Sequence, residues 1–203
     1  MIRRIIVLLT VAMVVLGGAA AGAVAAQPEL NEQDKIFLVQ IHRINLTEIQ
    51  AGKLAEQRST DRSISDVGKT LVDDHTKLDE SVQQVAEKAK VPLPNNPNAR
   101  QREDLAELSR LTGQVFDNAW LDAMIAGHRL ALVRLEQEAN MGSSPEVKKL
   151  AEDARPVVRE HLSMLRKARG GVMSPSPSPS PTESMTPGHE ESGSPAPSPG
   201  GTG

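Results

Sequence analysis

The chain has 203 residues, a formal net charge of -3 and no cysteine. Without cysteine, disulfides, thiolate metal sites and cysteine nucleophiles are excluded, so any chemistry depends on imidazole, carboxylate and hydroxyl groups. Only 1% of the residues are aromatic and the sequence contains no long basic run. This composition lacks the stacking platforms and the basic surface that nucleic-acid binding uses, so we expect no nucleic-acid partner.

The first residues have the organisation of an export signal. The basic start MIRR precedes the apolar run IIVLLTVAMVVL, and the small residues AGAVAA lead to a cleavage point near Ala25 or Ala26. We predict that residues 1–26 form a signal peptide and that the mature protein is secreted or associated with the cell envelope. The alternative is an uncleaved membrane anchor, because the run from Ile5 to Ala26 is nearly long enough to span a bilayer.

The C-terminal part of the chain is rich in Pro, Ser and Gly. From Ser174 it reads SPSPSPSPTESMTPGHEESGSPAPSPGGTG, which contains almost no apolar side chains that would offset the entropy of ordering it. We predict a disordered tail over residues 170–203, with cell-wall or envelope components as its candidate partners. The remaining residues, 28–169, are enough for one folded domain with an ordinary core.

Between these termini, apolar residues recur at spacings of three and four, which predicts helices throughout and no strands. The first helix begins after the N-cap Asn31. The second begins at Ser63 in SISD, a sequence similar to a capping box. The third long helix runs from Gln114 to about Ala139. The fourth begins at Pro145, runs to Ala168 and stops at Gly170 and Gly171.

The lengths of the connections predict the topology. Short loops join the first helix to the second and the third to the fourth, which makes each pair an antiparallel hairpin. The prolines of VPLPNNPN end the second helix. The connection that follows, from about Lys90 to Gly113, is long and carries a short helical segment at Arg100–Leu111. The predicted fold is therefore an all-α, ferritin-like four-helix bundle with two hairpins joined by a long crossover.

One titratable residue interrupts the apolar stripe of each long helix: Glu48, His75, His128 and His161. Glu48 and His75 are almost equidistant from the first turn, and His128 and His161 from the second. At a rise of ~1.5 Å per residue, the members of each pair lie at nearly the same height. We predict that all four meet at the middle of the bundle core.

Imidazole nitrogens and a carboxylate oxygen suit zinc, copper, iron or manganese, and suit magnesium or calcium poorly. A buried carboxylate among neutral imidazoles is also compensated best by a cation. The pattern therefore predicts a transition-metal site made by Glu48, His75, His128 and His161. A buried polar cluster that serves only the fold is the alternative.

Four segments carry a family resemblance: LTEIQAGKLA, LVDDHTKLDESV, FDNAWLDAMIAGHRLALVRLEQEA and ARPVVREHLSML. They resemble the exported bacterial family known as domain of unknown function 4142, over about Glu29 to Arg169. The resemblance implies a ferritin-like fold, a secreted or envelope location, and that the one-glutamate, three-histidine pattern is a feature of the family. It implies no activity.

The sequence departs from the pattern of ferritin-like di-iron proteins, which place Glu three residues before His on two helices. Val72, Ile125 and Val158 occupy those positions here, so we expect no di-iron centre of that kind. The chain also lacks a Ser-His-Asp motif, a glycine-rich phosphate loop, paired catalytic carboxylates and a haem motif. Two functions remain: an exported metal-binding bundle, or a non-enzymatic envelope module that binds a partner or supports structure.

Other polar residues have structural interpretations. Asp74 and Glu160 each directly precede a predicted ligand. Sequence neighbours point roughly 100° apart around a helix, so both are expected to face solvent. His42 lies one position off the first apolar stripe and is expected at its boundary or on the surface. Asp117 is expected to interact with the positive end of the third long helix.

Overall fold

The computed structural model describes residues 29–173. It contains, within that range, no strand and the following helices: α1 (Glu32–Arg58), α2 (Arg62–Lys88), α3 (Ala99–Leu108), α4 (Gly113–Met141) and α5 (Pro145–Met173). The prediction of an all-α fold is confirmed. The predicted signal peptide and the tail from residue 174 onward lie outside the described residues. None of the helices in this range combines the length and the apolar character needed to cross a membrane.

Each short loop joins two long helices that pack antiparallel. On α1 and α2, His42 contacts Asp79 while Gly52 approaches Gly68, so residue numbers rise along one helix as they fall along the other. On α4 and α5, the contact between His128 and His161 and the ion pair between Asp122 and Arg169 have the same relation. In addition, α1 packs on α4 and α2 on α5, and the short helix α3 covers α1 and α4.

Two separate apolar clusters fill the space between the long helices. One surrounds Trp120, whose indole N–H donates to the Ala51 carbonyl at 2.8 Å. The other surrounds Phe37 and Leu135. The residues of the two clusters come from opposite ends of the same four helices, and buried polar side chains occupy the level between them. The polar layer is therefore enclosed by apolar packing above and below.

Two helix ends differ clearly from the sequence prediction. α2 begins at Arg62, because Asp61, and not Ser63, is the N-cap and accepts a hydrogen bond from the Ser63 N–H at 2.7 Å. α5 continues through Gly170 and Gly171 to Met173, and neither glycine has the positive φ of a helix-ending residue. Glycine permits that conformation without imposing it. Residues 170–173 therefore belong to the helix and not to the predicted tail.

A buried acidic pair lies where α1 meets the turn between α4 and α5. The Asp34 carboxylate accepts hydrogen bonds from the backbone N–H groups of Asn31, Ser143 and Ser144 and from the Ser143 hydroxyl, at 2.7 to 3.1 Å. Although burial opposes ionisation, these donors hold the pKa of Asp34 below its ordinary value. Glu138 is buried beside it, and burial together with Asp34 raises the pKa of Glu138 to about 7.

This pair predicts a pH dependence of stability. The pKa of Glu138 rises from 4.5 to about 7 on folding, so the native state favours the protonated carboxyl, and the free energy of unfolding falls as pH rises between these values. We expect ionisation of Glu138 to lower the free energy of unfolding by ~1 to 3 kcal/mol between about pH 5 and pH 8. Urea unfolding at both pH values should show that Glu138→Gln abolishes this loss.

The control for this experiment is Glu152→Gln, an exposed position on α5. The groups that face Glu138 are Gln33, Asp34 and Lys148, and they are unchanged in both variants. Histidine titration is also common to all three proteins, so the difference between them isolates Glu138. Equal pH slopes for the wild type and Glu138→Gln would contradict the prediction.

Candidate metal centre

Three histidines converge in the polar layer between the two apolar clusters. His75 on α2, His128 on α4 and His161 on α5 are 2%, 1% and 0% exposed. Their ring centroids are 5.2 to 5.6 Å apart. One nitrogen of each ring lies within 4.8 Å of the corresponding nitrogens of the other two. The distances of these residues from the two turns predict that their side chains lie at one height, and the helix packing brings them together.

Each imidazole uses one nitrogen to donate a hydrogen bond to a fixed acceptor. His75 Nδ1 donates to Asn45 Oδ1 at 3.0 Å, and His128 Nδ1 donates to the Met124 carbonyl at 2.9 Å. His161 Nε2 donates to Asp74 Oδ2 at 3.2 Å. Because carbonyl and ionised carboxylate oxygens only accept, the hydrogen belongs to the imidazole in each case. These contacts select one tautomer for each neutral ring.

These tautomers leave one nitrogen lone pair on each of the three rings. His128 Nε2 lies 3.4 Å from His161 Nδ1, and neither nitrogen carries a hydrogen in these tautomers. His75 Nε2 is buried with no hydrogen-bond partner. Buried polar atoms in native proteins are nearly always paired. Three converging imidazole lone pairs, one of them unpartnered, fit the donor set of a transition-metal ion.

The surroundings of His75 and His161 favour the neutral imidazole, which is the form that coordinates a metal ion. Burial lowers the pKa of His75 well below its ordinary value, and positive charge on His128 or His161 would lower it further. Burial also lowers the pKa of His161, although its hydrogen bond to Asp74 acts in the opposite direction. Protons therefore compete weakly for the nitrogens of His75 and His161 near neutral pH.

Glu48 lies beside the histidine cluster but approaches it from a different side. Its carboxyl is 4% exposed, and Oε1 is 3.6 Å from His128 Nδ1, the nitrogen that donates to Met124. Oε2 has no hydrogen-bond partner. Burial raises the pKa of Glu48, and His128 opposes that shift. The role of Glu48 as a fourth ligand stays a prediction, whereas the three histidines form the cluster itself.

A hydrogen-bonded chain behind His75 was missed by the sequence analysis. Asn45 donates to Asp79 at 3.4 Å, and Asp79 is 2.7 Å from His42 Nδ1. His42 Nε2 in turn donates to the Pro94 carbonyl at 2.8 Å. The expectation that His42 lies at a boundary or on the surface is wrong, because it is 6% exposed. Counting from the α1–α2 turn pairs His42 with Asp79, so the same argument that paired Glu48 with His75 would have found it.

Two aspartates also differ from expectation. Asp74 does not simply face solvent, because its position on α2 turns the carboxylate toward His161 on the neighbouring helix α5. Asp117 does not serve the helix end: it is buried and accepts hydrogen bonds from Ser59 at 2.6 Å and Thr60 at 3.0 Å, which hold the α1–α2 turn. Glu160 is exposed, as expected.

The sequence matches a known protein family, and the fold is similar to a solved structure. The family model described as "Domain of unknown function (DUF4142)" matches residues 19–168. The chain belongs to this family. Among solved structures, the DUF4142 protein is similar to the "Crystal structure of DUF305 fragment from Deinococcus radiodurans", with a TM-score of 0.63 and 16% identity, over 70% of this chain and 99% of that chain. This likeness shows the helical fold alone. No curated protein matches the DUF4142 chain.

Proposed function

We propose that this DUF4142 protein is an exported metal-binding protein that holds a transition-metal ion through His75, His128 and His161. The observation that carries the proposal is the set of converging lone pairs, since the opposite nitrogen of every ring is tied to an acceptor and His75 Nε2 has no partner. A polar cluster built only for structure would have its buried nitrogens paired within the protein.

A set of three imidazole ligands suits zinc, copper, iron or manganese. Three protein nitrogens also leave room in the coordination sphere for a further ligand, either Glu48 or a small molecule. When bound, such an ion supplies Lewis-acid or redox chemistry. The protein itself contributes buried, oriented imidazoles, and within residues 29–173 no other group with a catalytic arrangement accompanies them. Buffering or storage of the ion is therefore the activity we propose.

We also infer that the fold is the ferritin-like four-helix bundle. Contacts from Glu48 to His128 and from Gln33 to Glu138 make α4 antiparallel to α1, as α2 is. The connection between α2 and α4 must therefore run the length of the bundle, and it carries α3. One long crossover between two antiparallel hairpins is the ferritin-like arrangement.

The test of the metal proposal is titration of the metal-free protein, residues 27–203, with Zn²⁺, Cu²⁺, Mn²⁺ and Fe²⁺ by calorimetry, the last under anaerobic conditions. We expect one ion per chain, and loss of that binding in His161→Ala. The matched control is His189→Ala, because His189 lies in the predicted tail and should leave binding unchanged. Absence of stoichiometric binding of every ion would leave the envelope module as the better function.

The hydrogen bond from His75 to Asn45 predicts a second effect. Asn45→Ala removes the acceptor that selects the tautomer and orientation of His75. Groups that orient metal-binding histidines typically change metal affinity by ~10- to 100-fold when removed, and we expect a loss in that range. Gln50→Ala, at an exposed position on the same helix, is the control. Equal affinities for Asn45→Ala and the wild type would show that Asn45 does not position the ligand.

A further inference from the structure

A groove of about 540 Å³ lies between α1, α3 and α4, on the side of the bundle that the crossover helix partly covers. Its walls are mainly apolar. Leu105 and Leu108 line it from α3, and Ala119, Ala123 and Leu130 line it from α4. This volume and character are typical of sites for small organic ligands.

Glu48 forms the polar end of this groove. It is 4% exposed, it lines the groove, and its Oε2 has no hydrogen-bond partner. Gly127 keeps the approach to it open, because a Cβ at that position would lie 3.1 Å from Glu48 Oε1. A buried carboxyl with an unpartnered oxygen in the lining of an apolar groove is complemented by a ligand group that donates hydrogen bonds.

The charged residues that line the groove indicate which charge the ligand group should carry. Its other charged lining residues are Asp104 and Glu107, and neither lysine nor arginine lines it within the described part of the chain. Asp104 is already paired with Arg100 at 2.9 Å. The basic group next to Glu48 is the His128 imidazole, whose Nδ1 lies 3.6 Å from Oε1, and Oε2 has no partner. A carboxylate in an apolar environment is stabilised by an oppositely charged, hydrogen-bonding partner.

We propose that this groove binds a small amphipathic organic cation, with its alkyl part against Leu105, Leu108 and Ala123 and its ammonium group toward Glu48. This site goes beyond the metal-binding function and shares with it only Glu48, whose role as a ligand of the ion stays a prediction. Its ligand atoms come from α1, α3 and α4, whereas the histidine cluster draws on α2, α4 and α5.

The test uses n-octylammonium as the probe, with octanol and octanoate as probes of equal length. Calorimetric titration of the metal-free protein should show saturable, one-to-one binding of octylammonium. We expect binding of octanol and octanoate to be weaker by about tenfold or more. Octanol offers Glu48 a neutral hydroxyl donor only, and octanoate has no donor and carries a charge of the same sign as the carboxylate. Glu48→Gln should weaken octylammonium binding by a similar factor.

Two variants test the location. Ala123→Trp fills the groove and should abolish binding, and Ala126→Trp, at an exposed groove position, provides the same test with less effect on the core. Val133→Trp, on an exposed part of α4 that does not line the groove, is the matched control. Binding must also persist in His161→Ala, which separates this site from the metal centre. Equal affinities for octylammonium and octanoate would overturn the proposal. So would an octylammonium affinity that is unchanged in Glu48→Gln, or unchanged in both Ala123→Trp and Ala126→Trp.

Discussion

Saturating Zn²⁺ is expected to stabilise the metal-free protein strongly, because the ion binds an arrangement of histidines that exists only in the folded state. At a free ion concentration about 100 to 1,000 times the dissociation constant, the free energy of unfolding should rise by ~3 to 4 kcal/mol. For a domain of this size that corresponds to an increase in Tm of about 10 °C. Thermal unfolding followed by circular dichroism, with and without the ion, measures it.

His75→Ala should remove most of this stabilisation, because one of the three nitrogens proposed to coordinate the ion is lost. The same variant reports on the metal-free protein, where it relieves an unpartnered buried nitrogen but leaves a cavity. His189→Ala is again the control. If the wild type and His75→Ala melt at the same temperature with and without each candidate ion, the metal-binding function is wrong.

Glu48→Leu tests whether Glu48 is a ligand of the ion or a buried polar residue without that role. In the metal-loaded protein, destabilisation by this substitution supports Glu48 as a ligand of the ion. A neutral or stabilising effect shows that Glu48 is a buried polar residue without that role, since replacing an unpaired buried acid by an apolar side chain removes a desolvation cost. The unpartnered Oε2 makes the second outcome the expected one in the metal-free protein.

Gly68→Ala is expected to be among the most destabilising single-methyl changes in the domain. A Cβ at Gly68 would lie 2.7 Å from Ala55 Cβ and 2.8 Å from the Gly52 carbonyl oxygen. Neither atom can move without separating α1 from α2. Overpacking of this kind costs ~1 to 3 kcal/mol or more, partly offset by the ~1 kcal/mol by which alanine favours a helix over glycine. We expect a net loss of ~2 kcal/mol in urea unfolding.

Gly170→Ala provides the matched control, because Gly170 is also helical and a Cβ there meets nothing within 4 Å. This substitution should stabilise the protein by up to ~1 kcal/mol through helix propensity alone. The opposite signs of the stability changes expected for the two substitutions test the close approach of α1 and α2 directly. A Gly68→Ala protein as stable as Gly170→Ala would contradict it.

Displacement of α1 from α2 should also reach the metal centre. Asn45 on α1 orients His75 on α2, so a change in the spacing of these helices moves the acceptor away from the ring. We therefore expect Gly68→Ala to reduce metal affinity as well as stability. The stability loss is the primary measurement, and the affinity loss follows from it.

The sequence by itself determined the helical elements and the height of the histidines along them. Apolar spacing of three and four residues is a local property of a helix, and position along an antiparallel hairpin depends only on the distance from the turn. For this reason His75, His128 and His161 were found together before their contacts were known. The end of α5 was not found, because glycine allows a helix to stop without requiring it.

Only the tertiary structure decided which atoms face one another. Each helical residue is rotated by about 100° from its neighbour, so the azimuth of a side chain near the edge of the apolar stripe depends on how the helices are arranged around the core. That arrangement turns Asp74 toward His161 and brings His42 into contact with Asp79. It also brings Glu48 close to Nδ1 of His128. Periodicity and loop length place a residue on a helix face, whereas the partners of a buried polar atom follow from packing.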